Sequence, residues 1–562
     1  MKIAKVAVLL DAKHAQRYWK NGLNVFESYI GEMLSHAGIA FEWAHESHEI
    51  DKGRFDVAIV ALADESEATS ESLWRFAQEG GIVISYGGLN AMKERLGCYE
   101  KRSLSIGYAK LADWNPDPEV SDLRFLQARP WYVSSKNREG IEAIGTLHAD
   151  QPNSATSGAA LHRFAVGSGW IDRWAVNIPY TVVGMQQGTG PVVEDGIPPL
   201  DQSANIQEGL LKADDRCEMD WVTDRAVTET GAPYFAYPYA DIWRETAVSH
   251  LLKRVVETGY TLPFVGYWPE GVAAVAIISH DSDGNEEPNA QKMLEVLKDC
   301  RIQSTWCMIE PGYGERIYEQ VKADGHELAF HYNALEWDGG WWDEREFERQ
   351  LAHLKQTAGL AEVVSNKNHY TLFEGWGELF EWCERAGIAC DQTRGPSKRG
   401  NVGFLFGTCH PYFPTAWSFE RNRLYDVLEL SFLSQDIDLP QLADFSIVRP
   451  LLKQVYRREG VAHFLFHQAH VTKEAVADAL RGVVRESREM GFVFWTSRMI
   501  NDWERTRRTF KVGAVQDDYR VSVEGDRRSD EAVVWIPIGD GSDAGGRRET
   551  KFGVPCVKGR RI

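Results

Sequence analysis

Positive charge is in deficit along this chain: 62 Lys and Arg face 82 Asp and Glu over 562 residues, a formal charge of −20. That balance argues against a nucleic-acid backbone or an anionic membrane as the main partner. It makes a neutral or cationic substrate easier to accept than a strongly anionic one. Cysteine is also sparse. The eight residues contain no CxxC pair and are scattered from Cys98 to Cys556, which suits reduced, buried thiols better than a disulfide framework. No apolar run is long enough to span a bilayer. The short run Ala4–Leu10 is cut off by Asp11, Lys13 and His14, so it reads as a first buried strand and not as a signal peptide. These absences predict a soluble, cytoplasmic protein.

What is present is aromatic and rhythmic. Twenty Trp is a heavy load; most are core packing, but exposed aromatic faces can also stack on sugar rings. Residues 1–100 alternate strand and helix signals: Val6–Leu10, the apolar run 56–62, a capped amphipathic helix over 70–79 and the strand 82–85. This is the signature of a parallel α/β sheet. Short strands and Gly/Pro turns follow from about 103 to 240. After a linker near 259–271 the α/β rhythm restarts and runs to Arg508, predicting a distorted β/α barrel. The last fifty or so residues carry three strand-like runs, 519–523, 532–538 and 551–557. The expected fold class is therefore α/β: a doubly wound domain with a β-rich insertion over 1–262, a barrel over 268–508 and a β-rich tail over 510–562.

Nine of the sixteen histidines lie between His280 and His470, and histidine is the side chain best suited to metal binding and proton transfer near pH 7. Ser279-His280-Asp281-Ser282-Asp283-Gly284 follows an apolar strand directly. Its two carboxylates, two residues apart, can divide the work: one ligates a metal and the other takes a proton from water. Asp, Ser and Gly after a strand are equally what a turn uses. Three further polar clusters end predicted strands, at His331, at Asn368-His369-Tyr370 and at His467-Gln468-Ala469-His470. Four such clusters in one α/β unit point to a single barrel mouth.

These motifs resemble the polysaccharide deacetylases of carbohydrate esterase family four, in the branch whose first motif reads Thr/Ser-His-Asp-x-Asp. The resemblance covers roughly 270–508 and includes Gly325-His326-Glu327 before His331, the run 386–391 and Trp495-Thr496-Ser497-Arg498. It implies Asp281 as general base, Asp283 and His331 as ligands of a divalent metal, with zinc expected, and His467 as general acid oriented by Asp391. The family's second histidine, four residues after the first, falls on Leu335, and its motif-three arginine on Lys367. His369 is then the candidate third ligand by position. Trp337, Trp341, Trp342, Lys367 and Tyr370 are the candidate substrate contacts. His410, in a loop over 404–414, reads as structural.

The N-terminal part is similar, more loosely, to class I glutamine amidotransferase-like (flavodoxin-like) domains. The cue is the apolar run 55–60, a helix, and Gly80-Gly81 leading to Tyr86-Gly87-Gly88-Leu89. No cysteine occupies the turn, the nearest being Cys98, so thiolate chemistry has no starting point. The domain reads as non-catalytic, serving substrate binding or homo-oligomer assembly. Gly87-Gly88 offers backbone NH groups to an anion. The leading expectation is a metal-dependent amide hydrolase acting on an N-acylated sugar. A ring-opening hydrolase of cyclic amides or ureides, and a non-catalytic carbohydrate-binding or assembly protein, are the alternatives.

Overall fold

A computed structural model of the chain describes residues 1–134, 140–525, 527–539 and 548–561. The protein is mixed α/β, and two large sheets organise it. The first takes β1 (Val6–Leu10), β2 (Glu42–Ala44), β3 (Val57–Leu62), β4 (Ile82–Tyr86), β5 (Ile141–Ile144), β6 (Leu161–Val166) and β7 (Gly169–Trp174) in the order β2-β1-β3-β4-β7-β6-β5. The first five in that order are mutually parallel, and β6 and β5 complete the edge antiparallel. β1 and β3 are continuous apolar runs buried on both faces, which is what a central parallel strand requires.

The second sheet carries the motif-bearing strands. It comprises β8 (Ala274–Asp281), β9 (Thr305–Met308), β10 (Glu327–Tyr332), β11 (Ser365–Asn368), β12 (Cys390–Asp391), β13 (Leu428–Glu429), β14 (Ser434–Gln435), β15 (Val461–Leu465) and β16 (Phe492–Phe494). The order is β13-β12-β11-β10-β9-β8-β15-β14, all parallel. β8 is its axis: β15 borders Val275–Ser279 on one edge, while β16 at its start and β9 at its end border the other. Every residue of β8 is buried. Seven interstrand steps of about 4.8 Å would set the outer edges of a flat sheet about 34 Å apart. Yet β13 and β14 are joined by residues 430–433 alone, a reach of at most about 18 Å. The sheet must therefore curl, and it forms a parallel half-barrel whose strand ends all open on one side.

One helix ties the sheets together. Tyr239–Glu257 is buried over nearly its whole circumference, as expected where a helix has no solvent face. Trp243 donates to the Arg124 carbonyl at 2.6 Å, His250 pairs with Asp172 at 2.9 Å, and Asp241 accepts from Thr408 and from the Cys409 NH, both at 2.7 Å. Glu32 and Arg508 form a second bridge, with Oε1 and Nη2 2.8 Å apart.

Two sequence expectations shift. The strand expected to end at His467 lies at Val461–Leu465, and His467 sits beyond it, at the cap of the short helix Gln468–Val471. The C-terminal run 551–557 is a hairpin, because Phe552 and Gly553 take left-handed conformations (φ 51° and 66°) and turn the chain between Arg548–Lys551 and Val554–Lys558. Val534–Pro537 joins that hairpin to Phe264–Val265. Among the described residues no helix is long and apolar enough to cross a membrane.

Candidate active site

Parallel strands deliver their last side chains to one mouth, and β8, β10 and β11 do so here. Asp281 is the final residue of β8, and Asp283 follows it in a turn that Gly284 completes at φ 76°. His331 lies near the end of β10, and His369 comes directly after β11. β10 and β11 are adjacent and in register, His331 opposite Lys367, so two histidines 38 residues apart meet at 3.3 Å, Nε2 to Nδ1.

Three donor atoms converge. His331 Nε2 is 3.3 Å from Asp283 Oδ1, and His369 Nδ1 is 3.4 Å from the same oxygen. Donors about 2.1 Å from a tetrahedral ion are separated by roughly 3.4 Å, so the three atoms have the spacing of one face of such a site. The hydrogen bonding agrees. His331 Nδ1 lies 2.9 Å from the Lys367 carbonyl, which only accepts, so Nδ1 carries the proton and Nε2 turns a lone pair toward the cluster. Asp283 Oδ1 is buried without a hydrogen-bond partner. A buried carboxylate oxygen without a hydrogen-bond partner beside two ring nitrogens is unfavourable unless a cation lies among them. These residues fit a divalent ion. Next to His369, Tyr370 and Thr371 both hold left-handed backbone (φ 57° and 56°), strain of the kind that persists where a side chain must be aimed.

Two groups flank the cluster. Asp281 Oδ2 is 3.2 Å from Lys367 Nζ and 3.7 Å from both His331 Nε2 and His467 Nε2. Burial alone would raise its pKa, but Lys367, His331 and His467 outweigh burial and hold the carboxyl below its usual range. Asp281 Oδ1 is left buried without a partner. His467 is held from behind by Asp436, which follows β14. Its Nδ1 meets Asp436 Oδ2 at 2.5 Å and its backbone NH donates to Oδ1 at 2.8 Å. His470 Nδ1 reaches the same Oδ2 at 2.8 Å. Burial disfavours an imidazolium at His467, yet Asp436, Asp281 and Asp283 prevail and raise its pKa to about 9.

Asp281, Asp283, His331, His369 and His467 are thus gathered within one mouth. Asp391 is not part of it in the expected way. It lies on β12, accepting from Asn366 at 2.8 Å and Thr393 at 3.0 Å, and is in register with Glu429. The carboxylate behind His467 is Asp436. Its two-residue strand carries no periodic signal, and only its place beside β15 brings it to the histidine. Lys367 is fully buried, so it contacts Asp281 instead of lining a substrate surface. Trp342 packs against Trp382 at 4.9 Å and belongs to the core, whereas Trp337 (70% exposed), Trp341 (56%) and Tyr370 (53%) are open to solvent. Trp337 and Tyr370 meet edge to face at 6.4 Å, and Tyr370 lies against His369 at 4.7 Å. Leu335 is buried in the core. His280, His410 and His463 are buried and His326 is half-buried, and all four are bonded to protein groups.

No family model and no curated protein matches the chain. Polysaccharide deacetylases are among its structural neighbours, at low identity and partial coverage. A Mycobacterium smegmatis protein assigned as a polysaccharide deacetylase aligns at 17% identity over 43% of this chain and 94% of its own, with a TM-score of 0.33. The Bc1960 peptidoglycan N-acetylglucosamine deacetylase aligns at 15% identity over 42% of this chain and 90% of its own, TM-score 0.28. BA3943 from Bacillus anthracis, a pseudoenzyme of carbohydrate esterase family four, aligns at 12% identity over 41% of this chain and 66% of its own, TM-score 0.25.

Proposed function

We propose that the protein is a metal-dependent amide hydrolase that removes an acyl group from an N-acylated sugar. One observation carries this reading: Asp283 Oδ1, His331 Nε2 and His369 Nδ1 lie 3.3–3.4 Å from one another, beside Asp281 and His467. Asp283, His331 and His369 would hold the ion. When bound, a divalent ion such as zinc supplies Lewis-acid polarisation of the acyl oxygen and acidifies water.

The remaining work falls to the chain's own side chains. Asp281, kept ionised by Lys367, takes the proton of the attacking water on its unpartnered Oδ1 as oxygen adds to the acyl carbon. His467 enters protonated, with Nδ1 fixed by Asp436, and gives the Nε2 proton to the nitrogen as the C–N bond breaks. The carboxylic acid, which ionises in solvent, and a free amine leave, and the proton on Asp281 restores His467. Paired acid and base of this kind contribute about 10²–10⁴-fold each. The exposed rings of Tyr370 and Trp337 beside His369 suit a sugar face.

The test is hydrolysis of N-acetylated chito-oligosaccharides by protein prepared without chelator, with Asp281→Asn and His467→Gln as comparisons. Release of acetate that falls at least 100-fold in both variants, while the variants keep their circular dichroism and bound metal, supports the reading. Acetate release unchanged in both, or absent from metal-loaded parent protein, rejects it.

A further inference from the structure

Outside the barrel mouth, the carboxyl ends of β3 and β4 and the helix after β1 (Ala12–Lys20) surround a cavity of about 310 Å³ lined by His14, Tyr18, Glu27, Asp64, Tyr86 and Asn90, among others. Open parallel sheets bind ligands at this edge, and the volume is at the small end for a ligand pocket. The turn after β4 forms its floor. Gly87 takes φ 76° and Leu89 φ 63°; for leucine that conformation is strained. Arg173, fully buried and stacked 3.8 Å over Trp131, braces the turn by donating to the carbonyls of Gly88 at 2.7 Å and Gly87 at 3.2 Å.

Polar atoms around this floor are left over. His14 Nδ1, Asn90 Oδ1 and Ser85 Oγ are buried without partners, and Ser85 Oγ lies against the turn, 2.9 Å from where a Cβ on Gly88 would be. Such atoms are unfavourable unless something meets them. The carboxylates are only partly used. Asp64 Oδ1 accepts from Ser66 at 2.9 Å and from Thr69, and Glu27 Oε1 accepts from Asn177 at 2.8 Å. Glu65 is occupied by the NH groups of Asn90 and Ala91. Burial pushes the Glu27 carboxyl above its usual range. Against these three acids the lining holds one strong cation, Arg129. An acceptor-rich, acid-rich cavity repels the anion that Gly87-Gly88 suggested in the sequence, and it suits a ligand rich in donors. Nothing here performs covalent chemistry: the turn has no nucleophile, and burial pushes the Cys98 thiol up to about 11.

We propose that this cavity binds one small polyhydroxylated amine, of the size and chemistry of an amino sugar. Its hydroxyls meet Asn90, His14 and Arg129, its ammonium lies between Glu27 and Asp64, and its carbon face lies against Tyr18 and Tyr86. The site binds without catalysis and is independent of the hydrolase reading.

Titration calorimetry of the full chain with D-glucosamine tests it, with D-glucose, L-glutamine and inorganic phosphate as competing probes. One D-glucosamine per chain, bound more tightly than D-glucose and at least tenfold more weakly by Glu27→Gln, is the expected result. Ala91→Phe, which fills the cavity from its exposed rim, should abolish binding without altering the melting profile. Absence of D-glucosamine binding, binding that survives both substitutions, or preference for L-glutamine or phosphate overturns the proposal.

Discussion

Asp436 clamps His467 through both its carboxylate oxygens, Oδ2 on the ring Nδ1 at 2.5 Å and Oδ1 on the backbone NH at 2.8 Å. The arrangement fixes the tautomer, turns Nε2 toward Asp281 and Asp283, and favours the protonated ring. A general acid needs all three.

Asp436→Asn should keep the shape of this clamp and lose its charge. On the hydrolase reading, kcat falls about 10–100-fold, as for other supporting partners of site histidines, with KM and metal content little changed. Steady-state kinetics beside metal analysis checks this. An unaltered kcat would remove Asp436 from the mechanism.

His369 enters the donor set through its distances to His331, 3.3 Å, and to Asp283, 3.4 Å. His369→Ala and His331→Ala should each reduce bound divalent metal to well below one per chain, measured by elemental analysis after dialysis without chelator. Metal removal from the parent protein should lower its melting temperature. The loss would be about 3–4 kcal/mol if the ion is present at 100–1,000 times its dissociation constant. Full metal retention by His369→Ala would point to another third ligand.

Lys367 is a buried cation whose charged partner is Asp281 at 3.2 Å. Lys367→Met removes one half of a buried pair and leaves a carboxylate uncompensated, a loss of about 3–5 kcal/mol. Urea denaturation should register it in the metal-free protein. Lys367→Met/Asp281→Asn should recover part of the loss, because the stranded charge is then gone.

Stability should fall on the acid side well before carboxylates titrate. His36 and His410 are buried and held well below their usual pKa, first by desolvation and then by neighbours including Arg244; His162 is brought down to about 4 by burial and Arg173. Each is neutral in the folded chain but protonates near pH 6.5 when unfolded, so the unfolded state binds more protons below that pH. The contribution of these three groups is therefore full above about pH 6.5 and declines as pH falls toward their folded pKa values, by up to 1.36 kcal/mol per unit per group. Melting temperatures between pH 8 and 5 would trace this. A flat profile down to pH 5 would contradict it.

The motif-bearing strand ends were legible because two local signals coincide at each. A β-branched or aromatic run predicts a buried parallel strand, and the polar residue that breaks it must face the strand's carboxyl end. Asp281, Asp283, His331 and His467 were readable in this way, as was the restart of the α/β rhythm near 272. Asp391 satisfied the same local pattern, but its carboxylate is consumed by Asn366 and Thr393. Asp436 was missed for the opposite reason, since a two-residue strand followed by a loop carries no pattern.

The sequence by itself determined which residues could reach a barrel mouth, since strand direction and side-chain alternation are set within a few neighbours. The tertiary structure decided which of them meet. His331 touches His369 because β10 and β11 are hydrogen-bonded in register, and Asp436 reaches His467 because the curled sheet sets β14 beside β15. Lys367 faces Asp281 across the half-barrel. Such contacts depend on the order and curvature of a sheet whose strands are tens of residues apart, and no local window of the sequence contains them. The deficit of positive charge follows the same division. The chain carries −20 overall, but where a carboxylate stands free and where it is paired was decided by packing.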